Sequence, residues 1–485
     1  MKKQRTTVFR CSACGHEEPK WLGRCPECGE WNTLTETAVS GLARMGGSAG
    51  LKGKAGLPQS LPLASVDPQE GSRISSGIQE LDRVLGGGIM KRSAVLVGGE
   101  PGIGKSTLLL QAAAAVDTRG RVLYIAAEES AGQVRMRADR LGLFDGPGAG
   151  TAAPGGAASA IEICCSARLE DIQAVIEALK PVIIIVDSVQ TLHTDEAGLV
   201  PGTVNQMKFC AWELISWVKD HDAALFLVAH VTKDGIISGP KTLEHMVDAV
   251  LYFEQNEGDS RFLRAAKNRF GSVDEIGIFT MGERGLAGVE DPGRLFLTHR
   301  EGDLPPGVAI AAVLEGTRTL LVEIQALTVE AKGAVSRVFS DRIDNARVSR
   351  VAATLEKHLN LRLADHDLYV NVAGGVRIAE VGVELALAAA IYSARTGLSL
   401  PSGAVMAGEL SLAGEVRPIR RLPGRIRAAG SLSFTHFVGP REEEPALGHA
   451  AGRAPGIPPG RGDPHDLPKL STVGSIKEAV KVLFT

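Results

Sequence analysis

Nowhere in its 485 residues does the chain hold a run of about 18 apolar residues, so no membrane-spanning helix is expected. The first ten residues, Met1 to Arg10, are basic, but no apolar stretch follows them. That does not fit a secretory signal and points to a cytoplasmic protein. A charge excess is also missing: 53 Lys and Arg stand against 56 Asp and Glu, a formal net charge of −3. A near-neutral chain offers nucleic acid no global attraction, so any such binding needs a local basic surface. No tandem repeat is present. What remains, 44% hydrophobic and 22% charged, is the composition of a soluble globular protein long enough for two or three domains.

Four of the seven cysteines fall within the first 30 residues as two close pairs, Cys11-Ser-Ala-Cys14-Gly15 and Cys25-Pro-Glu-Cys28-Gly29. Ten residues separate Cys14 from Cys25. In a reducing compartment such pairs bind metal rather than forming disulfides. Each Cys-x-x-Cys turns into a knuckle that aims two thiolates at one ion. Four thiolates make a closed tetrahedral site, so Cys11, Cys14, Cys25 and Cys28 are expected to hold a structural Zn2+. A unit of about 30 residues buries too little core to fold alone, and metal binding supplies the missing stability. A pair of redox dithiols is the competing interpretation. His16 is adjacent, but the four Cys fill the site. Cys164, Cys165 and Cys210 stand in apolar or mixed surroundings and are read as inert.

Composition divides the rest. Residues 1–34 form the zinc unit, and 35–64, rich in Gly, Ser, Ala, Leu and Lys with Pro58 and Pro62, read as a flexible linker. From 65 to 300, apolar runs at 94–97, 121–126, 182–186, 224–229 and 249–253 alternate with helical patterns. That is an α/β domain with a mostly parallel sheet covered on both faces. Gly146 to Ala160, dense in Gly, Ala and Pro, interrupts it as a surface insertion expected to be disordered. Turns at Asp291-Pro292-Gly293 and Pro305-Pro306-Gly307 mark a boundary, and a second α/β domain occupies 305–485. It is expected to contain strands at 308–314 and 319–324, a helix over 345–359, a Pro/Gly-rich loop over 441–468 and a closing helix over 475–484.

The strongest motif is Gly98-Gly99-Glu100-Pro101-Gly102-Ile103-Gly104-Lys105-Ser106-Thr107, which contains G-x-x-x-x-G-K-S between an apolar strand and an apolar helix. Glycines let the backbone wrap the phosphates with N–H groups pointing inward, and the helix N-terminus favours their charge. ATP is the expected ligand, with Lys105 bridging its β- and γ-phosphates and Ser106 holding Mg2+. Downstream, the apolar run Val182 to Val186 ends in Asp187, the pattern of a Walker B strand whose carboxylate reaches Mg2+.

Several segments then converge on one resemblance. Ser76-Gly77-Ile-Gln-Glu-Leu81-Asp82-Arg-Val-Leu85-Gly86-Gly87-Gly88 looks like the entry segment of RecA- and KaiC-like ATPases, and Lys267-Asn268-Arg269-Phe270-Gly271 matches the KNRFG signature of RadA/Sms. With the four-Cys knuckle and the C-terminal domain, the chain resembles the RadA/Sms family over nearly its whole length. The resemblance implies a bacterial DNA-dependent ATPase of homologous recombination and repair, active in DNA-damage and stress responses. It further implies a helicase-like motor that promotes branch migration on single-stranded and branched DNA with a RecA-type recombinase. Such proteins form homo-oligomeric rings, here expected to be hexamers.

In RecA-like folds the strand beside the P-loop strand presents a Glu that orients the attacking water. Glu128 fits this role, with Glu129 as the fallback. A polar residue ending a later strand senses the γ-phosphate; His230 is that residue, unless it is a solvated loop His. By the same resemblance Lys267 and Arg269 act across a subunit interface on a neighbour's ATP, against the alternative of a solvated basic turn. The loop 232–242, with Lys233 and Lys241 between glycines, stands where such motors contact DNA, or is an ordinary surface loop.

The C-terminal domain resembles the proteolytic domain of Lon through Val370-Asn-Val-Ala-Gly374-Gly375 and Gly408-Glu409-Leu-Ser-Leu-Ala-Gly414-Glu415-Val-Arg417-Pro418-Ile419. Lon chemistry needs a Ser nucleophile and a Lys base. Alignment by eye puts Gly382 and Pro423 at those positions, so this domain is expected to be a proteolytically inactive scaffold. Its basic run, Arg417, Arg420, Arg421, Arg425 and Arg427, either meets DNA or is a solvated face. The competing functions are a Lon-like protease and a KaiC-type regulator in which ATP only stabilises assembly.

Overall fold

Short strands open the chain: β1 (Thr7–Cys11), β2 (Glu17–Glu18) and β3 (Leu34–Ala38) form an antiparallel sheet in the order β2-β1-β3. β3 runs to Ala38, into the stretch that composition marks as linker from 35. Its alternating Thr35 and Thr37 suit a pleated strand, and the segment pairs along the whole of β1. The computed structural model describes residues 7–11, 17–18, 23–24, 26, 34–38, 62, 72–116, 120–144, 161–196, 203–230, 242–255, 260–289, 293, 295–298, 300, 302–333, 336–441 and 467–484. The insertion at 146–160 and most of the loop at 441–468 therefore lie outside the described residues. Two compact units are present, Met1–Pro68 and Gln69–Thr485.

The second unit begins with β4 (Arg73–Ile74) and β5 (Ile89–Met90), an antiparallel pair enclosing α1 (Gln79–Val84). There follow β6 (Ser93–Gly99), α2 (Lys105–Ala115), β7 (Val122–Ala126), α3 (Ala131–Arg140), β8 (Ile161–Cys164), α4 (Leu169–Leu179), β9 (Ile183–Asp187), α5 (Val204–Asp220), β10 (Ala224–His230), α6 (Thr242–Met246), β11 (Ala249–Gln255), β12 (Ser260–Asn268), β13 (Ile276–Gly282) and β14 (Gly285–Gly288). They build a nine-stranded sheet in the order β14-β13-β12-β11-β6-β10-β9-β7-β8. The six strands from β11 to β8 are parallel, and β12 to β14 add antiparallel strands at one edge.

The parallel strands are apolar throughout because each face is covered. On β6, Val95 and Val97 join a core with Leu108 and Leu109 of α2 and Val134 of α3. Ala94 and Leu96 face the other way, against Ile172 of α4, Leu214 of α5 and Leu243 of α6. The strands expected at 94–97, 121–126, 182–186, 224–229 and 249–253 are β6, β7, β9, β10 and β11.

A seven-stranded sheet follows, ordered β17-β18-β16-β15-β19-β22-β23. Its elements are β15 (Val308–Glu315), β16 (Arg318–Glu330), β17 (Val338–Ser340), α7 (Asn345–Leu359), β18 (His366–Val372), α8 (Glu384–Thr396), β19 (Ala404–Met406), the hairpin β20 (Glu409–Leu410) and β21 (Val416–Arg417), α9 (Leu422–Ser431), β22 (His436–Pro440), β23 (Lys469–Val473) and α10 (Ile476–Phe484). The helix read over 345–359 is α7, and the closing helix is α10.

The core of this sheet takes in Phe262, Ile276 and Ile278 from β12 and β13. Arg318 donates to Glu80 of α1 at 2.5 Å, and Thr317 donates to Glu275 at 2.7 Å. Between β15 and β16 the turn at Gly316, with φ +61°, passes so close to the first sheet that a Cβ there would lie 1.9 Å from the Asp274 carbonyl oxygen. Among the described residues, no helix is long and apolar enough to cross a membrane.

Candidate nucleotide-binding site

β6 ends at Gly99, and the segment Glu100–Gly104 turns into α2, whose first residue is Lys105. Gly104 caps the helix with φ +115°; a Cβ there would stand 3.0 Å from Met281 and 3.2 Å from Leu286. Glycine is thus required both for conformation and for space. Ser106 and Thr107 occupy the first turn of α2, where unpaired amides and the helix dipole favour an anion. Ile103 is buried under the loop, whereas Glu100, Pro101 and Gly102 face solvent.

Lys105 is only 3% exposed. Its ammonium donates to the carbonyl oxygens of Gly99 at 2.8 Å and Glu100 at 2.9 Å. Burial pushes its pKa down to about 8, against the opposing charges of Asp187 and Glu128. The ammonium also lies 3.4 Å from Nδ1 of His230, which ends β10 opposite Gly99.

Asp187 ends β9, opposite Ala126 of β7. The Tyr124 hydroxyl donates to its Oδ2 at 2.6 Å, and burial, then the Asp187 charge, raises the phenol well above its usual value. The Asp187–Ser188 peptide is cis. Ser188 donates to the Glu128 carboxylate, whose other oxygen is 3.9 Å from Nε2 of His230. Gln190 clamps the His230 backbone, donating to its carbonyl at 3.2 Å and accepting from its amide at 3.3 Å. Glu129 turns away into an ion pair with Arg137. Lys105, Glu128, Asp187 and His230 therefore converge at the mouth of the P-loop, while Glu129 does not join them.

Tyr124, Ser188 and Gln190 carry this cluster without having been singled out from the sequence. The available signal was a hydroxyl inside an apolar strand and a polar run just after the Walker B Asp.

Lys267 and Arg269 lie elsewhere. Phe253 of β11 pairs with Gly99, whereas Ala249, at the other end of β11, pairs with Asn268. Four residues at about 3.3 Å each put the basic turn about 13 Å down the sheet from its own P-loop. Lys267 donates to the carbonyls of Glu244 at 2.8 Å and Val247 at 2.6 Å; burial, then Arg269, lowers its pKa. Arg269 is 60% exposed along its side chain and donates to Asp248 at 3.3 Å.

Lys233 and Lys241 fall outside the described residues, as do Cys14, Cys25 and Cys28. Cys11 ends β1 opposite Leu34. Cys210 is buried in α5, and burial pushes its thiol up to about 12, as expected of an inert cysteine. Arg417 stands 3.6 Å from Glu415 and 3.9 Å from Glu409, Arg420 is exposed, and Arg421 donates to the Thr317 carbonyl at 3.0 Å.

Arg425 corrects the basic-surface expectation. It is 0% exposed, paired with Glu380, and donates to the carbonyls of Ala312 at 2.7 Å and Arg420 at 3.1 Å. A Cβ on Gly382 would meet this pair, 2.8 Å from Glu380 and 3.1 Å from Arg425. Pro423 sits in the first turn of α9.

Two family models match the chain. One, described as AAA domain, covers residues 62–235, and one described as Rubredoxin metal binding domain covers 9–36. A protein of Treponema pallidum (strain Nichols) named DNA repair protein RadA is 53% identical over 442 residues, 91% of this chain and 93% of the relative. The protein of that name from Brucella abortus (strain 2308) is 45% identical over 88% of this chain and 90% of its own length. That from Mycobacterium tuberculosis (strain ATCC 25618 / H37Rv) is 40% identical over 98% and 93%.

Proposed function

This chain belongs to the family of DNA repair protein RadA, and from that premise we propose that it is a DNA-dependent motor whose ATP is hydrolysed at the interfaces of a homo-oligomeric ring. It is an ATPase of DNA repair with an N-terminal zinc ribbon. The finer reading rests above all on the distance between Arg269 and its own P-loop. A cationic pair about 13 Å down the sheet cannot serve the nucleotide held by the same chain, but it can serve that of a neighbour.

In this reading the P-loop amides from Gly99 to Thr107 bind the phosphates, and Lys105 leaves its two carbonyl partners to bridge the β- and γ-oxygens. The donors suit a cation: Ser106 and Asp187 would hold Mg2+, which offsets phosphate charge when bound. Glu128, beside Ser188 and His230, orients the attacking water, and His230 reports the γ-phosphate to the strand end and to Gln190. Lys267 and Arg269 of the adjacent subunit stabilise charge on the transferring group.

Lys233, Lys241, Arg417, Arg420 and Arg421 contact single-stranded or branched DNA, and the ring is a hexamer. Residues 1–34 carry the structural zinc, 35–64 are a linker, 65–300 are the motor, and 305–485 are a Lon-like scaffold. Peptide hydrolysis is no part of the function: Gly382 offers no nucleophile, and the Arg425–Glu380 pair fills the space beside it.

The motor processes recombination intermediates together with a RecA-type recombinase in the cytoplasm. Three-strand intermediates formed by such a recombinase test this. The wild-type protein with ATP extends the heteroduplex, Lys105→Ala does not, and no extension by wild type sinks the branch-migration reading.

A further inference from the structure

We propose that Tyr124 is a positioning residue for the metal-binding carboxylate: its hydroxyl fixes Asp187 in one orientation and reserves the second oxygen for Mg2+. The inference rests on the reading of Asp187 as the acidic partner of Mg2+.

Tyr124 is 1% exposed in the middle of β7, among Val122, Leu123 and Ile125. Nothing about packing in such a strand calls for a hydroxyl, since Phe fills nearly the same volume. A buried phenol needs a hydrogen-bond partner, and this one has Oδ2 of Asp187 at 2.6 Å. The register explains how they meet. β7 and β9 are parallel neighbours with Ala126 opposite Asp187 and Tyr124 opposite Ile185. Tyr124 and Ala126 share a face, so the ring rises one pleat repeat, about 6.6 Å, to the level of the carboxylate.

Without that bond, the carboxylate turns about a broad terminal torsion. With it, one oxygen is committed to the phenol and the other is presented in a set direction. A carboxylate that must meet a small cation with strict octahedral geometry gains from losing that freedom. Ser188 does the same for Glu128, so both carboxylates at the P-loop mouth are oriented by a neutral hydroxyl donor.

The test is nucleotide binding by the full chain, read by the fluorescence of a labelled ATP analogue titrated with Mg2+. Wild type, Tyr124→Phe and Asp187→Asn are compared, with a binding curve in EDTA and a melting curve for each. Tyr124→Phe should raise the half-saturating Mg2+ concentration about 10-fold, the usual cost of losing a group that orients a metal ligand. Its affinity for the analogue in EDTA should stay that of wild type. An unchanged Mg2+ midpoint overturns the proposal. So does a Tyr124→Phe chain that fails to fold or loses metal-free binding, which would make the hydroxyl a structural group. Asp187→Asn separates the two layers. If it also leaves the Mg2+ midpoint unchanged, the assignment of Asp187 fails; if it alone shifts the midpoint, only the role of Tyr124 fails.

Discussion

Asp248 holds Arg269 at two points, its backbone carbonyl accepting from the Arg269 amide at 3.1 Å and its carboxylate from the guanidinium at 3.3 Å. The same buried carboxylate accepts from the Ala94 amide, at the start of the P-loop strand, at 3.0 Å. The basic turn is therefore pinned to the motor sheet while its guanidinium stays largely in solvent, ready for a partner outside the chain.

Arg269→Ala should bind ATP like wild type and lose about 10³-fold in hydrolysis, the scale of an arginine supplied in trans. Mixing makes the prediction specific. Lys105→Ala subunits lack a working P-loop but keep Arg269, and Arg269→Ala subunits have the reverse. A mixture should hydrolyse ATP faster than either alone, because some interfaces join a good P-loop to a good finger. A mixture no faster than its parts counts against hydrolysis in trans.

Lys105 gives a pH dependence. Its pKa is about 8 without nucleotide, lowered by burial. Phosphates favour the charged form, so binding above that pH must take up a proton. Affinity for ATP should be level at pH 7 and fall as pH rises through about 8 toward the ordinary lysine range. Lys105→Met should be weak at every pH and lack this slope. Affinities by fluorescence titration from pH 7 to 9.5 decide it; parallel curves would remove Lys105 from the phosphate site.

Arg425→Ala should cost about 3–5 kcal/mol of stability, because it leaves Glu380 facing a desolvated pocket alone. Chemical denaturation measures this. A loss under about 1 kcal/mol would place the arginine at the surface after all.

The four cysteines predict one Zn2+ per chain by elemental analysis. Cys25→Ser or Cys28→Ser should lower that content and leave nucleotide affinity intact, since the metal is structural and sits in the separate first unit. Full zinc content in both variants would mean other ligands.

The parallel sheet and the P-loop were legible because their signals are local: continuous apolar runs, and glycines at fixed offsets from Lys105. Asp187 and His230 followed as strand ends. Tyr124 stayed hidden because an aromatic in an apolar strand reads as core. What brings it to Asp187 is the pairing of β7 with β9, and no local pattern encodes that register.

Arg425 was misjudged for a related reason. A run rich in Arg reads as a surface, yet Leu422, Arg425 and Ala429 share one helical face, and that face is buried. The core shared by Phe262, Ile276 and the second sheet was also out of reach. Turn residues near 291–307 mark a change of pattern, not whether the halves pack together.

The central claim is tested most directly by the rate of ATP hydrolysis with and without single-stranded DNA, for wild type, Lys105→Ala and Arg269→Ala. A DNA-dependent motor working at subunit interfaces predicts strong stimulation in wild type and none in either variant. A wild-type rate indifferent to DNA would contradict it, and would fit instead an ATPase whose nucleotide only holds an assembly together.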